Sequence, residues 1–219
     1  MRSKSLPSPS EDAVAAPTFT LLAHDLKNAL GSLEGELAAL IDDPNPAMAH
    51  TAYLHCTELR RQFIQFLTIY GSADRLHAHC EDESPKELLE ALHRSGQIRH
   101  LSLRGAPKVL LQLDDDAPLF WYLDQRLVHM ALDAALHNAS RFAHSTVTLG
   151  LRREDDHLVF TIDDDGPGLG AQDPSSFSTG LGTSLCKAVA EAHQYGERTG
   201  RIALLNRPEG GARFELWLP

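Results

Sequence analysis

Between Phe19 and Leu40, large apolar residues recur at spacings of three and four: Phe19, Leu22, Leu26, Leu30, Leu33, Leu37 and Leu40. That period sets them on one face of an α-helix and makes most of a coiled-coil seam. The run Asp42-Asp43-Pro44-Asn45-Pro46 then breaks the helix. From about Ala47 to Tyr70, a second stripe follows at four-and-three spacing: Ala52, Cys56, Leu59, Phe63, Phe66 and Tyr70. Gly71 is a plausible stop. Two such helices with a short loop are predicted to form an antiparallel hairpin. Their apolar faces exceed what one hairpin covers, so pairing of two hairpins into a homodimeric four-helix bundle is expected.

The second half has a different texture. Pro85–His100, Asp124–Phe142 and Gly182–His193 read as helices, the second with Leu127, Met130, Ala131, Ala134 and Ala135 on one side. Lys108–Leu113 reads as a strand. Thr146–Arg152 and His157–Asp163 alternate as neighbouring strands around an Arg-Glu-Asp-Asp turn. Arg201–Asn206 and Ala212–Leu218 form a last strand pair turned at Pro208–Gly211. The predicted fold class is therefore α+β: a helical hairpin, then an α/β sandwich with helices on one side of a mixed sheet. Residues 1–17 are expected to be a flexible tail, 18–75 the hairpin and 84–219 the sandwich. The polar, aperiodic stretch near residues 71–84 marks the boundary.

Composition narrows the functions. Lys and Arg total 20 against 30 Asp and Glu, a formal charge of -10, which opposes binding of bulk nucleic acid. Cys56, Cys80 and Cys186 are odd in number and far apart, so neither a disulfide framework nor a zinc spacing is present and a reducing cytoplasm is expected. No apolar run is long enough for a membrane span, and the first residues lack the apolar core of a signal peptide.

The chemistry-bearing residues fall into two groups. His24 lies between Leu22 and Leu26 but off their seam, with Asp25 beside it and Asn28 one turn on. An exposed imidazole can attack phosphorus, and an adjacent carboxylate can orient the ring or take its proton. A surface histidine in a polar helical face is the plainer reading of that segment alone. A phosphate donor is suggested by three further motifs. They are His137-Asn138-Ala139 within a helix, Asp164-Asp165-Gly166-Pro167-Gly168 after a strand, and Gly180-Leu181-Gly182 at a helix start. A strand-end carboxylate can accept from an adenine amino group. Glycines admit a nucleotide close to the backbone, and a helix N-terminus offers free N–H groups to phosphate. An Asn oxygen can ligate magnesium. Gly166-Pro167-Gly168 can also be read as a tight turn the fold needs. Asp163, Asp164 and Asp165 together are expected to make a strongly negative loop that repels triphosphate unless a cation offsets it.

In that order the motifs resemble those of sensor histidine kinases. LLAHDLKNAL looks like the phosphoacceptor box, DQRLVHMALDAALHNASRF like the asparagine box, and IDDDGPGLG and STGLGTSLCKAVAEAH like the two glycine boxes. The ending RPEGGARFELWLP is similar to the closing hairpin of that ATPase fold. The resemblance implies that His24 carries the phosphoryl group, with Asp25 as acid–base partner and Asn28 positioning ATP or a water. It implies Asn138 for Mg2+, Asp164 for adenine, and Gly166, Gly168, Gly180 and Gly182 around the nucleotide. It further implies homodimerisation, ATP as phosphate donor and a response-regulator receiver domain as acceptor. With about 18 residues ahead of the phosphoacceptor helix, input is expected from a separate sensor protein, unless the chain is a relay component without its own input.

The chain departs from the family at defined places. Ala29 stands where Pro is usual, and Ala134 where a second Asn is common. Only 11 residues, Leu169 to Thr179, separate the glycine boxes, with no Lys or Arg among them and Phe177 as the one aromatic. Three activities are compatible with this pattern. The first is a histidine kinase; the second is a histidine phosphotransferase whose ATPase-like domain no longer binds ATP. The third is a non-enzymatic regulator derived from a kinase.

Overall fold

The computed structural model describes residues 12–71, 76–102, 105–114, 117–171 and 180–219. Residues 1–11 of the expected tail, and Gln172–Thr179 with Phe177, lie outside the described residues. The chain divides into two compact units, Met1–Tyr70 and Gly71–Pro219.

The first unit is a pair of helices, α1 (Asp12–Asp42) and α2 (Pro46–Tyr70). α1 starts ahead of Phe19, so residues 12–17 are helical rather than tail. Asn45 caps α2, its Oδ1 accepting from the N–H of Ala47 at 2.9 Å, and Pro46 opens the helix where its missing N–H costs nothing. The antiparallel register is pinned at one end by His55 and Glu36, 2.7 Å apart. Phe19, Phe66 and Tyr70 cluster at the other end.

Leu22, Leu26 and Leu33 of α1 are buried against Ala52 and Phe66 of α2. The inward face of α2 is turned from the predicted stripe. Cys56 and Phe63 are exposed, and Gln62 and Gln65 take inward places. The apolar stripes are wider than a single partner helix covers, so part of each is left out. Leu30, Leu37, Phe63 and Leu67 are each about half exposed, at 48%, 49%, 52% and 49%.

The second unit runs β1 (Glu81–Glu83), α3 (Pro85–Ser102), β2 (Lys108–Leu113), β3 (Trp121–Leu123), α4 (Gln125–Phe142), β4 (Thr146–Glu154) and β5 (His157–Asp164). It continues with α5 (Leu181–Ala192), β6 (Gln194–Tyr195), β7 (Arg198–Thr199), β8 (Arg201–Asn206) and β9 (Ala212–Leu218). The main sheet has the order β2-β4-β5-β9-β8, parallel only between β2 and β4. Alternation along these strands sends Val147, Leu149 and Leu151 of β4, Leu158, Phe160 and Ile162 of β5, and Phe214 and Leu216 of β9 to one face. There they meet Leu89 and Leu92 of α3, Leu127, Ala131 and Leu132 of α4, and Leu185 and Val189 of α5. Each fully buried Leu or Phe of this kind stabilises the fold by roughly 1.5–3 kcal/mol. The exposed edge of β2 is covered by α3: His93 and Gln97 both reach the carbonyl of Val109.

Polar contacts fix where α4 and α5 sit. Asp124 caps α4, its Oδ1 accepting from the Leu127 N–H at 2.9 Å while Oδ2 accepts from the His79 N–H at 2.9 Å. The Asp124 N–H donates to Nε2 of buried His193, just beyond α5, at 3.0 Å. His193 Nδ1–H donates to the Val189 carbonyl at 2.7 Å. Both ring nitrogens are thus committed in the neutral form. Burial pushes the His193 pKa down, against the opposing pull of the Val189 bond and the Asp124 charge.

Candidate functional site

In the first unit, His24 is well exposed on α1, its side chain 64% accessible. Both of its polar neighbours address one ring atom. Nδ1 lies 3.2 Å from the Asn28 amide nitrogen and 3.7 Å from Asp25 Oδ1. Among the described residues no hydrogen bond goes to Nε2, which is left open to a reactant.

In the second unit, two of the motifs meet the helix that carries the third: Gly166 packs on the Phe142 carbonyl at the end of α4, and Gly182 lies beside Ala134. The triple aspartate does not act as one negative loop, because its three carboxylates point to three environments. Asp163, on the outer face of β5, is held by Arg213 through two bonds of 2.7 and 2.6 Å. Asp165 turns toward the α4–β4 connection. Its oxygens accept from the backbone N–H of His144, Ser145 and Thr146 and from the Ser145 hydroxyl. Burial opposes the Asp165 charge, but the Ser145 hydroxyl and these N–H groups outweigh it and hold the carboxyl well below the usual carboxylate range. Asp163 is therefore neutralised by an arginine, while Asp165 stays charged and is held by neutral donors turned toward the α4–β4 connection.

Asp164 is left as the buried carboxylate on the helical side of the sheet. Its Oδ1 accepts from the N–H of Gly166 at 2.9 Å and of Ala212 at 3.2 Å. Among the described residues no hydrogen bond reaches Oδ2. A carboxylate with one oxygen fixed by backbone and the other unbonded has a single acceptor to present.

Asn138 is exposed on α4, and no hydrogen bond from a described residue occupies its amide. Ala134, one turn earlier, is buried, and its Cβ lies 3.8 Å from where a Cβ on Gly182 would stand. Asp133 forms an ion pair with Arg99 of α3 at 2.8 Å and so does not replace the second Asn. The described residues hold no group of three or more His, Cys, Asp or Glu side chains able to bind a metal. The donor set suits an ion held by one Asn oxygen and by the ligand's own phosphates. Lys187 is exposed and pairs with Glu191 at 3.7 Å along α5.

Three of the four glycines are required, each for its own reason. A Cβ on Gly166 would run into the Phe142 carbonyl. Gly168 has φ +88°, and a Cβ there would meet Asn206 Oδ1 at 2.7 Å. Gly180, at the start of α5, has φ +69°. Gly182 has none of these constraints, since its missing Cβ would make only an ordinary contact. Among the described residues no side chain caps α5, so its first N–H groups can receive an anion.

Sequence reasoning missed the residues that hold the Asp164 loop: Ser145, Asn206, Arg207 and Arg213. Ser145 and Asn206 lie in no motif, and Arg207 and Arg213 lie in the closing hairpin RPEGGARFELWLP without a role assigned to either. Their one signal is the strand alternation, which places Arg213 on the same outer face as Asp163, its partner in register.

Residues 123–219 match the family described as histidine kinase-, DNA gyrase B- and HSP90-like ATPase. The sensor histidine kinase CpxA of Escherichia coli (strain K12) is 28% identical over 114 residues, covering 45% of this chain and 24% of CpxA. The chain thus aligns with about a quarter of that relative's length. The fold is shared with histidine kinase AdeS of Acinetobacter baumannii, with a TM-score of 0.63 and 20% identity over 89% of this chain and 96% of that one. It is shared also with histidine kinase ThkA, solved in complex with response regulator protein TrrA, with a TM-score of 0.69 and 18% identity over 94% and 62%. No helix of the described residues is long and apolar enough to cross a membrane. Residues 123–219 thus carry the histidine kinase-, DNA gyrase B- and HSP90-like ATPase domain, and the chain is similar to part of sensor histidine kinases.

Proposed function

We propose that this chain is a two-component histidine kinase that phosphorylates itself on His24 from Mg-ATP and passes the phosphoryl group to an aspartate of a receiver domain. The observation that carries the reading is Asp164. Its one unbonded carboxylate oxygen suits an adenine amino group, and the oxygen's orientation is fixed by the N–H groups of Gly166 and Ala212. The N–H groups at the start of α5 suit the phosphates, and Gly182 leaves room beside them. Asn138 would hold Mg2+, which when bound neutralises phosphate charge.

At His24, Nε2 is the proposed nucleophile. Its lone pair forms the bond to the γ-phosphorus as the bond to the departing ADP oxygen breaks. The ring proton must then reside on Nδ1, where Asp25 balances the charge that develops. With the proton on Nδ1, Asn28 is the proposed positioning residue once its amide turns its oxygen, in place of the nitrogen now 3.2 Å away, toward that N–H. Transfer onward to a receiver follows the family, in which ThkA is seen with a response regulator.

A second reading is favoured by one observation. Ala134 is buried and Asp133 is occupied by Arg99, which leaves Asn138 alone for magnesium. On that reading the second unit docks receivers, and the hairpin relays phosphate between them. Calorimetric titration with Mg2+ and a non-hydrolysable ATP analogue separates the two. One site per chain, lost in Asp164→Ala, is the expected result. Equal binding by wild type and Asp164→Ala would remove Asp164 from its role. No binding by the folded wild type would leave the relay reading.

A further inference from the structure

We propose that the turn leaving β8 is a clamp that aims Asp164, with Asn206 and Arg207 as its two positioning residues. The inference rests on the reading of Asp164 as the nucleotide-binding carboxylate.

Asn206 is the exposed last residue of an edge strand, a place where an amide side chain would ordinarily point to water. Here its Oδ1 instead accepts from the Leu169 N–H at 2.7 Å and fills the space beside Gly168 that a side chain would need. Arg207 reaches the other end of the same loop. Its Nη1 donates to the Asp164 carbonyl at 2.9 Å, and its Nε lies 3.6 Å from Asp163 Oδ2. The Arg207 Nε is buried without a hydrogen-bond partner. A guanidinium left partly unsatisfied is placed by something other than its own solvation, and the bond it does make is to the backbone of Asp164.

The hairpin adds a third hold. The Arg207 N–H donates to the Gly211 carbonyl at 3.0 Å, which sets the turn that brings the Ala212 N–H onto Asp164 Oδ1. Gly211 packs against the Asp164 carbonyl so closely that no side chain fits. Residues 164–169 are therefore gripped at both ends by one hairpin, while Asp165 ties the far side to the α4–β4 turn. With the loop fixed this way, Asp164 has one carboxylate orientation and presents Oδ2. Asn206 and Arg207 act through Asp164 and the loop, and neither is assigned a contact with the reacting atoms.

The test is the dependence of autophosphorylation on ATP concentration in wild type, Asn206→Ala, Arg207→Ala and Asn206→Asp. Loss of one such bond is expected to raise the KM for ATP about fivefold in each alanine variant, with kcat within about twofold, because the clamp acts on the proposed adenine end. Asn206→Asp keeps the acceptor for Leu169 and is expected to return KM to near the wild-type value. Thermal unfolding establishes that the variants fold; if Arg207→Ala does not, the exposed Asn206 pair decides the matter. Unchanged KM in folded Asn206→Ala overturns the clamp while leaving Asp164 in its role. A fall in kcat at unchanged KM overturns it too. A wild type that binds no Mg-ATP removes the reading of Asp164 and the clamp together.

Discussion

Two buried or bonded side chains set how the second unit responds to acid. Asp165 has a depressed pKa in the folded chain, so its contribution to stability is present above the unfolded carboxylate value of about 3.9 and is lost as pH falls below it. His193, also depressed, is held neutral by burial. Its contribution is present above the unfolded value of about 6.5 and is lost as pH falls below that, because the unfolded chain binds the proton more readily. Stability measured by urea unfolding is therefore expected to decline in two windows. Asp165→Asn should flatten the lower window. His193→Gln should be less stable at neutral pH but flat between pH 7 and 5. Parallel profiles for wild type and His193→Gln would show that the imidazole does not titrate with folding.

At the scale of elements, α4 and α5 pack through Ala134 and Gly182, and the glycines around them can be sorted by what forces them. Gly166 and Gly168 are demanded by the fold, which supports the tight-turn reading of that motif without excluding a ligand. Gly182 is not demanded, so it carries the stronger indication of a bound nucleotide. Gly182→Ala is expected to leave the fold intact or stabilise it by up to about 1 kcal/mol, as helical Gly→Ala changes do, while weakening nucleotide binding. Loss of stability with unchanged binding would contradict this.

Much of this element pattern was legible in the sequence. Alternation located β4, β5, β8 and β9, and the 3.6 period located α4 and α5 to within a residue or two at each end. The pieces β1, β3, β6 and β7 were not legible, because two or three residues carry no period. The faces of α2 were misread because Gln62 and Gln65 face inward beside Phe66, and apolar spacing cannot anticipate a buried amide. The motif residues could be named in advance. The partners of Asp163 and Asp165 could not, since Arg213 and Ser145 approach only through sheet register and a turn.

At the scale of the whole molecule, the hairpin leaves large apolar side chains half exposed, Leu30, Leu37, Phe63 and Leu67 among them. Apolar side chains left out along a seam of heptad spacing are ordinarily covered by a partner helix. A second copy of the same hairpin, completing four helices, is the proposed cover. Sedimentation at micromolar concentration is expected to give twice the 24.1 kDa chain mass. Replacing Phe63 and Leu67 by Glu should shift the protein toward monomer. A wild-type monomer under those conditions would contradict the bundle.

A live nucleotide site supplying phosphate to His24 is the central proposal. The most direct measurement is incubation of wild type and His24→Ala with ATP labelled at the γ-phosphate in the presence of Mg2+. Label that is acid-labile, appears on the wild type and is absent from His24→Ala is the predicted result. A folded wild type that takes no label from Mg-ATP, or a variant labelled as strongly as the wild type, would contradict it.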